Sequence, residues 1–171
     1  MSFQSTVFLQ QGFGVPGELF ANSPRNGQSY IINSASAAYN IFGYGFSITS
    51  QGNAAAGNSG GTAVFAGILS NPKGSALDGV GGNPLAPTLT LPNYAQGELL
   101  TQGSIVVYLP AAAAIGDFVL YDQTDGHLTT VAPGTSLPGG KSWAYATVDY
   151  FTVTAAGLAV ITLKPSLAVP A

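Results

Sequence analysis

Cysteine is absent from this chain, and charge is scarce. The first absence removes disulfides and thiolate metal ligands, leaving stability to burial and hydrogen bonding. The second is the more unusual: Asp, Glu, Lys and Arg make up 6% of the residues, against about 25% in an ordinary soluble domain. Long apolar runs are missing too. The longest, 105–115, is broken by Pro110 and falls well short of the roughly 20 residues that cross a bilayer, so no membrane partner is expected. The fixed cations are Arg25, Lys73, Lys141 and Lys164, in a chain of net charge −3. So few cations neutralise few phosphates, which argues against nucleic acid as a partner. Residues 1–6 have neither the basic stretch nor the sustained apolar segment of a secretory leader. Synthesis and retention in a cytoplasm are therefore expected.

What the chain does contain is an ordinary apolar fraction, 46%, set among Gly, Ala, Ser, Thr, Asn and Gln. Little charge repulsion opposes self-association, so a homo-oligomer or a protein covered by partners is expected. The length fits a single β domain over residues 1–171, divided into an extended arm (1–28), a β core (29–163) and a C-terminal tail (164–171).

Periodicity favours short strands almost throughout: 29–33, 42–49, 63–69, 88–91, 104–109, 118–121, 127–131, 143–151 and 158–163. These runs are rich in Val, Ile, Thr, Tyr and Phe and are bounded by Gly, Pro, Asn and Ser. The expected fold is all-β, a small antiparallel barrel or sandwich with long Gly/Pro-rich loops. Two such runs flank 122–126, which ends in Asp125-Gly126, the signature of a hairpin turn. Loops are expected at 50–62, 70–87 and 132–141, and Ala111 to Ala114 leaves room for at most one helical turn between Pro110 and Gly116. The first 28 residues read as an extended arm, a clasp whose Phe3, Val7, Phe8, Phe13 and Leu19 would anchor on a neighbouring subunit.

Several motifs invite a catalytic reading and fail on context. Gly57-Asn58-Ser59-Gly60-Gly61 is similar to the nucleophile loop of trypsin-like proteases, but no His or Asp precedes Ser59 to serve as base and orienting carboxylate. Gly12-Phe13-Gly14-Val15-Pro16-Gly17 has dinucleotide-fingerprint spacing without the helix that must follow it. Asp117, Asp122 and Asp125 lack the alternating spacing of a calcium loop, and Asp122 and Asp125 suit turn-stabilising roles. His127 is the only histidine and has no second ligand for a transition metal. Glu18 and Glu98, the only glutamates, are not brought together by anything in the sequence as a glycosidase pair would be. Trp143, Tyr145 and Tyr150 could line a sugar site, although aromatic residues at strand spacing more often pair across strands. No catalytic residue, cofactor or metal is expected.

Segments spread over nearly the whole chain resemble one family. They include Gln10-Gln11-Gly12-Phe13-Gly14-Val15-Pro16-Gly17-Glu18-Leu19, Phe65-Ala66-Gly67-Ile68-Leu69, Pro84-Leu85-Ala86-Pro87-Thr88-Leu89-Thr90-Leu91-Pro92-Asn93, Ala111-Ala112-Ala113-Ala114-Ile115-Gly116-Asp117 and Val153-Thr154-Ala155-Ala156-Gly157-Leu158. The family is the structural cement, or capsid decoration, proteins of tailed bacteriophages. The resemblance implies a non-enzymatic protein of the virion, made in the host cytoplasm. It would sit outside an icosahedral shell and bridge subunits of the major capsid protein. A tail or fibre accessory protein is the alternative.

Overall fold

The computed structural model describes residues 14–20, 24–57, 64–71 and 90–165. Its strands are β1 (Asn26–Ile31), β2 (Gly45–Ile48), β3 (Ala54–Ala56), β4 (Val64–Leu69), β5 (Gln96–Leu109), β6 (Phe118–Asp122), β7 (Leu128–Val131), β8 (Lys141–Asp149) and β9 (Gly157–Leu163). All the strand pairings are antiparallel and form one sheet in the order β3-β2-β4-β5-β9-β8-β6-β7, with β1 paired to β5. The fold is all-β, as its composition implies. Of the two expected architectures, the sheet does not close into a barrel.

β5 organises the molecule. Its first half takes β1, with Gln28 opposite Leu99 and Asn26 opposite Gln102, and touches β4 through Leu99 and Leu100. Its second half takes β9, from Gly103 opposite Leu163 to Leu109 opposite Gly157. β1 and β9 therefore meet end to end along β5 at residues 102 and 103. Burial follows this division: outward residues alternate with buried ones over Gln96–Leu99, whereas Gly103 to Val107 are all buried, as a strand covered on both faces requires.

The sheet folds over so that its two halves share a core. Ile68 and Leu100 pack with Val119, Tyr121, Leu128, Ala146, Val148 and Ile161 in one cluster, while Phe42, Phe46, Ile32, Leu69 and Leu99 form a second beneath β2 and β3. Full burial of each of these large side chains contributes about 2 kcal/mol. The hairpin of β6 and β7 is where the halves lock. Gly45 N donates to Gly126 O at 2.8 Å and Gly57 N to Gly45 O at 3.0 Å. Gly126 has φ +81, and a β-carbon there would run into the Gly45 carbonyl and lie 2.9 Å from Gly57 N. Only glycine meets both demands.

Two local expectations are corrected and one holds. Within the expected loop 50–62, Ala54–Ala56 form the fully buried strand β3, paired with β2. Alanine has no strand preference of its own; here Ala54, Ala55 and Ala56 are held as a strand by pairing with Ile48, Ser47 and Phe46. The limit of at most one helical turn over Ala111 to Ala114 holds, with none formed: Ala113 exchanges backbone hydrogen bonds with Val153 at 2.8 and 2.9 Å in an isolated bridge. The strand expected at 104–109 begins at Gln96, with glycines at 97 and 103 inside it. Of the run expected at 88–91, Thr90 makes a single bridge to Ile41 and residues 88 and 89 lie outside the described residues.

Candidate docking surface

The chemistry-bearing side chains serve turns. Asp117 Oδ2 accepts from Ala114 N at 2.8 Å, Asp122 Oδ1 from Thr124 N at 2.7 Å and Asp125 Oδ1 from His127 N at 2.9 Å. Asp122 also pairs with Lys141 Nζ at 2.8 Å. Burial pushes the Asp122 carboxyl up, but the hydrogen bonds from Lys141 and Thr124 outweigh it and hold the group below its ordinary value. Tyr44, whose ring lies 5.4 Å from that of His127, is raised by burial and then by the Asp125 charge. Glu18 closes a turn by accepting from Val15 N at 3.2 Å, so Gly14 to Gly17 lead into a turn and not a helix. Glu98 lies exposed on β5 opposite Ser29. Among the described residues no three His, Cys, Asp or Glu side chains gather as a metal site would need. Ser59 lies outside the described residues.

The unusual groups are tyrosines. Tyr94, Tyr145 and Tyr150 have φ of 68°, 49° and 67°, in the left-handed region that bulky residues avoid. All three are exposed. Tyr145 sits on a bulge: Val119 opposes Ala146 and Leu120 opposes Trp143, so β8 carries two residues with no opposite number on β6. Such a bulge re-aims a side chain. Here the Tyr145 ring turns toward Phe65, centroids 6.2 Å apart, and lines an open cleft of about 410 Å³ with Val64, Phe65, Thr101 and Pro165. Lys164 N donates to Tyr145 O at 2.8 Å and fixes the bulge to the end of β9.

A second aromatic group lies where the arm crosses the sheet. Phe20 N bonds to Ser104 O at 2.9 Å, and the Phe20 ring is 5.0 Å from Tyr150 and 6.3 Å from Phe151, both largely exposed. Trp143 packs edge-on against Phe118 at 5.7 Å. The three aromatics considered for a sugar site thus each have a different ring partner and do not form one platform. Leu19 bridges to Ile105 and is half-buried against the core of its own chain. Phe3, Val7, Phe8 and Phe13 lie outside the described residues. Val64, Phe65 and Pro165 carried no signal as site residues, because only the register of β4 and β9 brings them beside the Tyr145 bulge.

The all-β scaffold thus presents exposed aromatic rings, three of them at strained backbone positions, while Asp117, Asp122 and Asp125 serve turns. Comparison with known proteins gives this surface a setting. Residues 3–164 match the family model described as "Structural cement protein (E217 gp24/Pam3 gp6)", and the chain belongs to that family. It is a structural protein of the phage capsid. A chain from the solved structure entitled "The capsid of Myoviridae Phage XM1" has the same fold, with a TM-score of 0.64 at 18% identity, covering 98% of this chain and 100% of that one. No curated protein matches the sequence.

Proposed function

We propose that the protein is a non-catalytic cement. It binds the outside of an icosahedral phage shell and holds neighbouring subunits of the major capsid protein together. The observation that carries this reading is the pair of exposed aromatic sites on a rigid sheet, the Phe65–Tyr145 cleft and the Phe20–Tyr150–Phe151 group, in a chain of the cement family. Aromatic side chains supply large contact area at low entropic cost and dominate interface energetics. Backbone strain kept at two of them supports selection for what those rings touch.

In this reading the arm is a clasp. Leu19 fixes its root to β5 while Phe3, Val7, Phe8 and Phe13 reach a neighbouring subunit, and several linked attachments gain from effective concentration. Self-association, synthesis in the host cytoplasm and the absence of nucleic-acid or membrane partners belong to the same proposal. A ligand that binds the intact shell and not its ruptured state stabilises the shell by mass action. The test is the release of DNA to a dye on heating filled particles with and without the protein. The expected result is release at a lower temperature without it. Identical curves at full and zero occupancy would reject the cement role and favour a tail or fibre accessory.

A further inference from the structure

The sheet contains one arrangement twice. β1, β2, β3, β4 and the first half of β5 are ordered β3-β2-β4-β5-β1, and the second half of β5 with β6, β7, β8 and β9 is ordered β7-β6-β8-β9-β5. The registers repeat as well. Phe46 lies opposite Ala56 and Gly67, Val119 lies opposite Thr130 and Ala146, and each ladder to the fourth strand shifts at the next residue. Leu99 sits between Leu69 and Gln28 as Ile161 sits between Val148 and Ile105. Residues matched in this way build the two cores: Phe46, Leu69, Leu99 and Ile32 in one, Val119, Val148, Ile161 and Leu109 in the other. The connections correspond too. An isolated antiparallel bridge, Ile41 to Thr90 in the first unit and Ala113 to Val153 in the second, ties the connection after the first strand to the one before the fifth. None of these matched positions carries the same residue, so the repeat shows only in the pairing.

The second unit is turned relative to the first. β5 ends one unit and begins the other, and it runs antiparallel to β1, so the first strands of the two units point in opposite directions. The connection between the fourth and fifth strands therefore returns to the sheet at opposite ends of the 14-residue β5. In the first unit it passes through Tyr94, whose N–H donates to Ile32 O at 2.7 Å, just before Gln96. In the second it passes through Tyr150 and rejoins at Gly157, opposite Leu109. Both tyrosines are exposed, at φ 68° and 67°. Glycine would be unstrained there, so what tyrosine adds at either place is its ring. We propose that the protein is a two-headed linker whose Tyr94 and Tyr150 ends grip the same patch on two copies of one partner. The partner is the major capsid protein, met on two neighbouring subunits, and the inference rests on the cement reading. Like heads facing opposite ways suit like sites on symmetry-related subunits, and a chain held at both ends gains from effective concentration.

The test uses expanded shells assembled without the protein. A photoreactive phenylalanine analogue at position 94 or at position 150 is expected to cross-link to the same segment of the capsid protein, mapped by mass spectrometry. A chain carrying the analogue at both positions should yield one copy joined to two capsid subunits. Tyr94→Gly and Tyr150→Gly should each remain folded and bind shells at least tenfold more weakly. Cross-links to different capsid segments, cross-links from one position only, or a folded glycine variant that binds as wild type does would each overturn the linker and leave the cement reading standing. Wild-type protein that does not bind the shells would remove both. The cross-links keep a ring at each position, so they decide the question even where a glycine variant unfolds.

Discussion

The Ser47 hydroxyl on β2 meets the Tyr121 phenol on β6 at 3.0 Å in the buried interior. Both residues are almost wholly excluded from solvent, and the pair joins the N-terminal half of the sheet to the C-terminal hairpin. Removing one partner leaves the other a buried, unsatisfied polar group. Tyr121→Phe and Ser47→Ala should each cost about 1–3 kcal/mol in urea unfolding, and the double variant should cost less than the sum of the two. Additive losses would show that the contact couples nothing.

The glycine lock should be less forgiving. Gly126→Ala forces a β-carbon toward the Gly45 carbonyl at a positive φ, and should destabilise the fold by about 2–4 kcal/mol. Gly134→Ala, also at positive φ but with nothing within 4 Å of the added carbon, should cost about 1 kcal/mol. Thermal melts of the two variants separate crowding from backbone strain.

Strain at the tyrosines can be read in two places. At Tyr94, φ is 68° and the side chain is 74% exposed, so Tyr94→Gly should be neutral or stabilising by up to about 1 kcal/mol, whereas Tyr94→Val should be clearly destabilising. At Tyr145, Tyr145→Gly should leave the melting temperature within a few degrees of wild type and reduce capsid occupancy, measured by gel densitometry of purified particles. Unchanged occupancy would remove the cleft from the contact surface.

Acid should act through Asp122. Its folded-state pKa lies below the ordinary 3.8, so the ionised form is favoured in the native state. The resulting stability is present above pH 4 and is lost as pH falls through the folded-state value. Denaturation midpoints taken from pH 6 down to pH 2 should fall less steeply for Asp122→Asn than for wild type. The effect should be small, since the Asp122–Lys141 pair is partly exposed to solvent.

Strand class and the β6–β7 hairpin were legible because they rest on local chemistry: alternation, β-branched residues and an Asp-Gly turn. β3 was not, because three alanines carry no strand signal and owe their conformation to β2 beside them. Gln96–Gln102 was equally hidden, with Gly97, Glu98 and polar residues that pair only because β1 and β4 flank them. At the docking surface the aromatic residues were visible as such. The bulge that aims Tyr145 was not, since it is a mismatch in count between β8 and β6 and exists only once both are paired.

β5 also has a mechanical consequence. At 14 residues it spans roughly 46 Å, with β1 bonded along one stretch and β9 along the next. Tension applied between the two halves of the molecule travels along one covalent backbone and loads each neighbouring ladder in shear, so that its hydrogen bonds resist together and do not open one by one. A strand break at residue 102 or 103 would have made the same sheet a zipper.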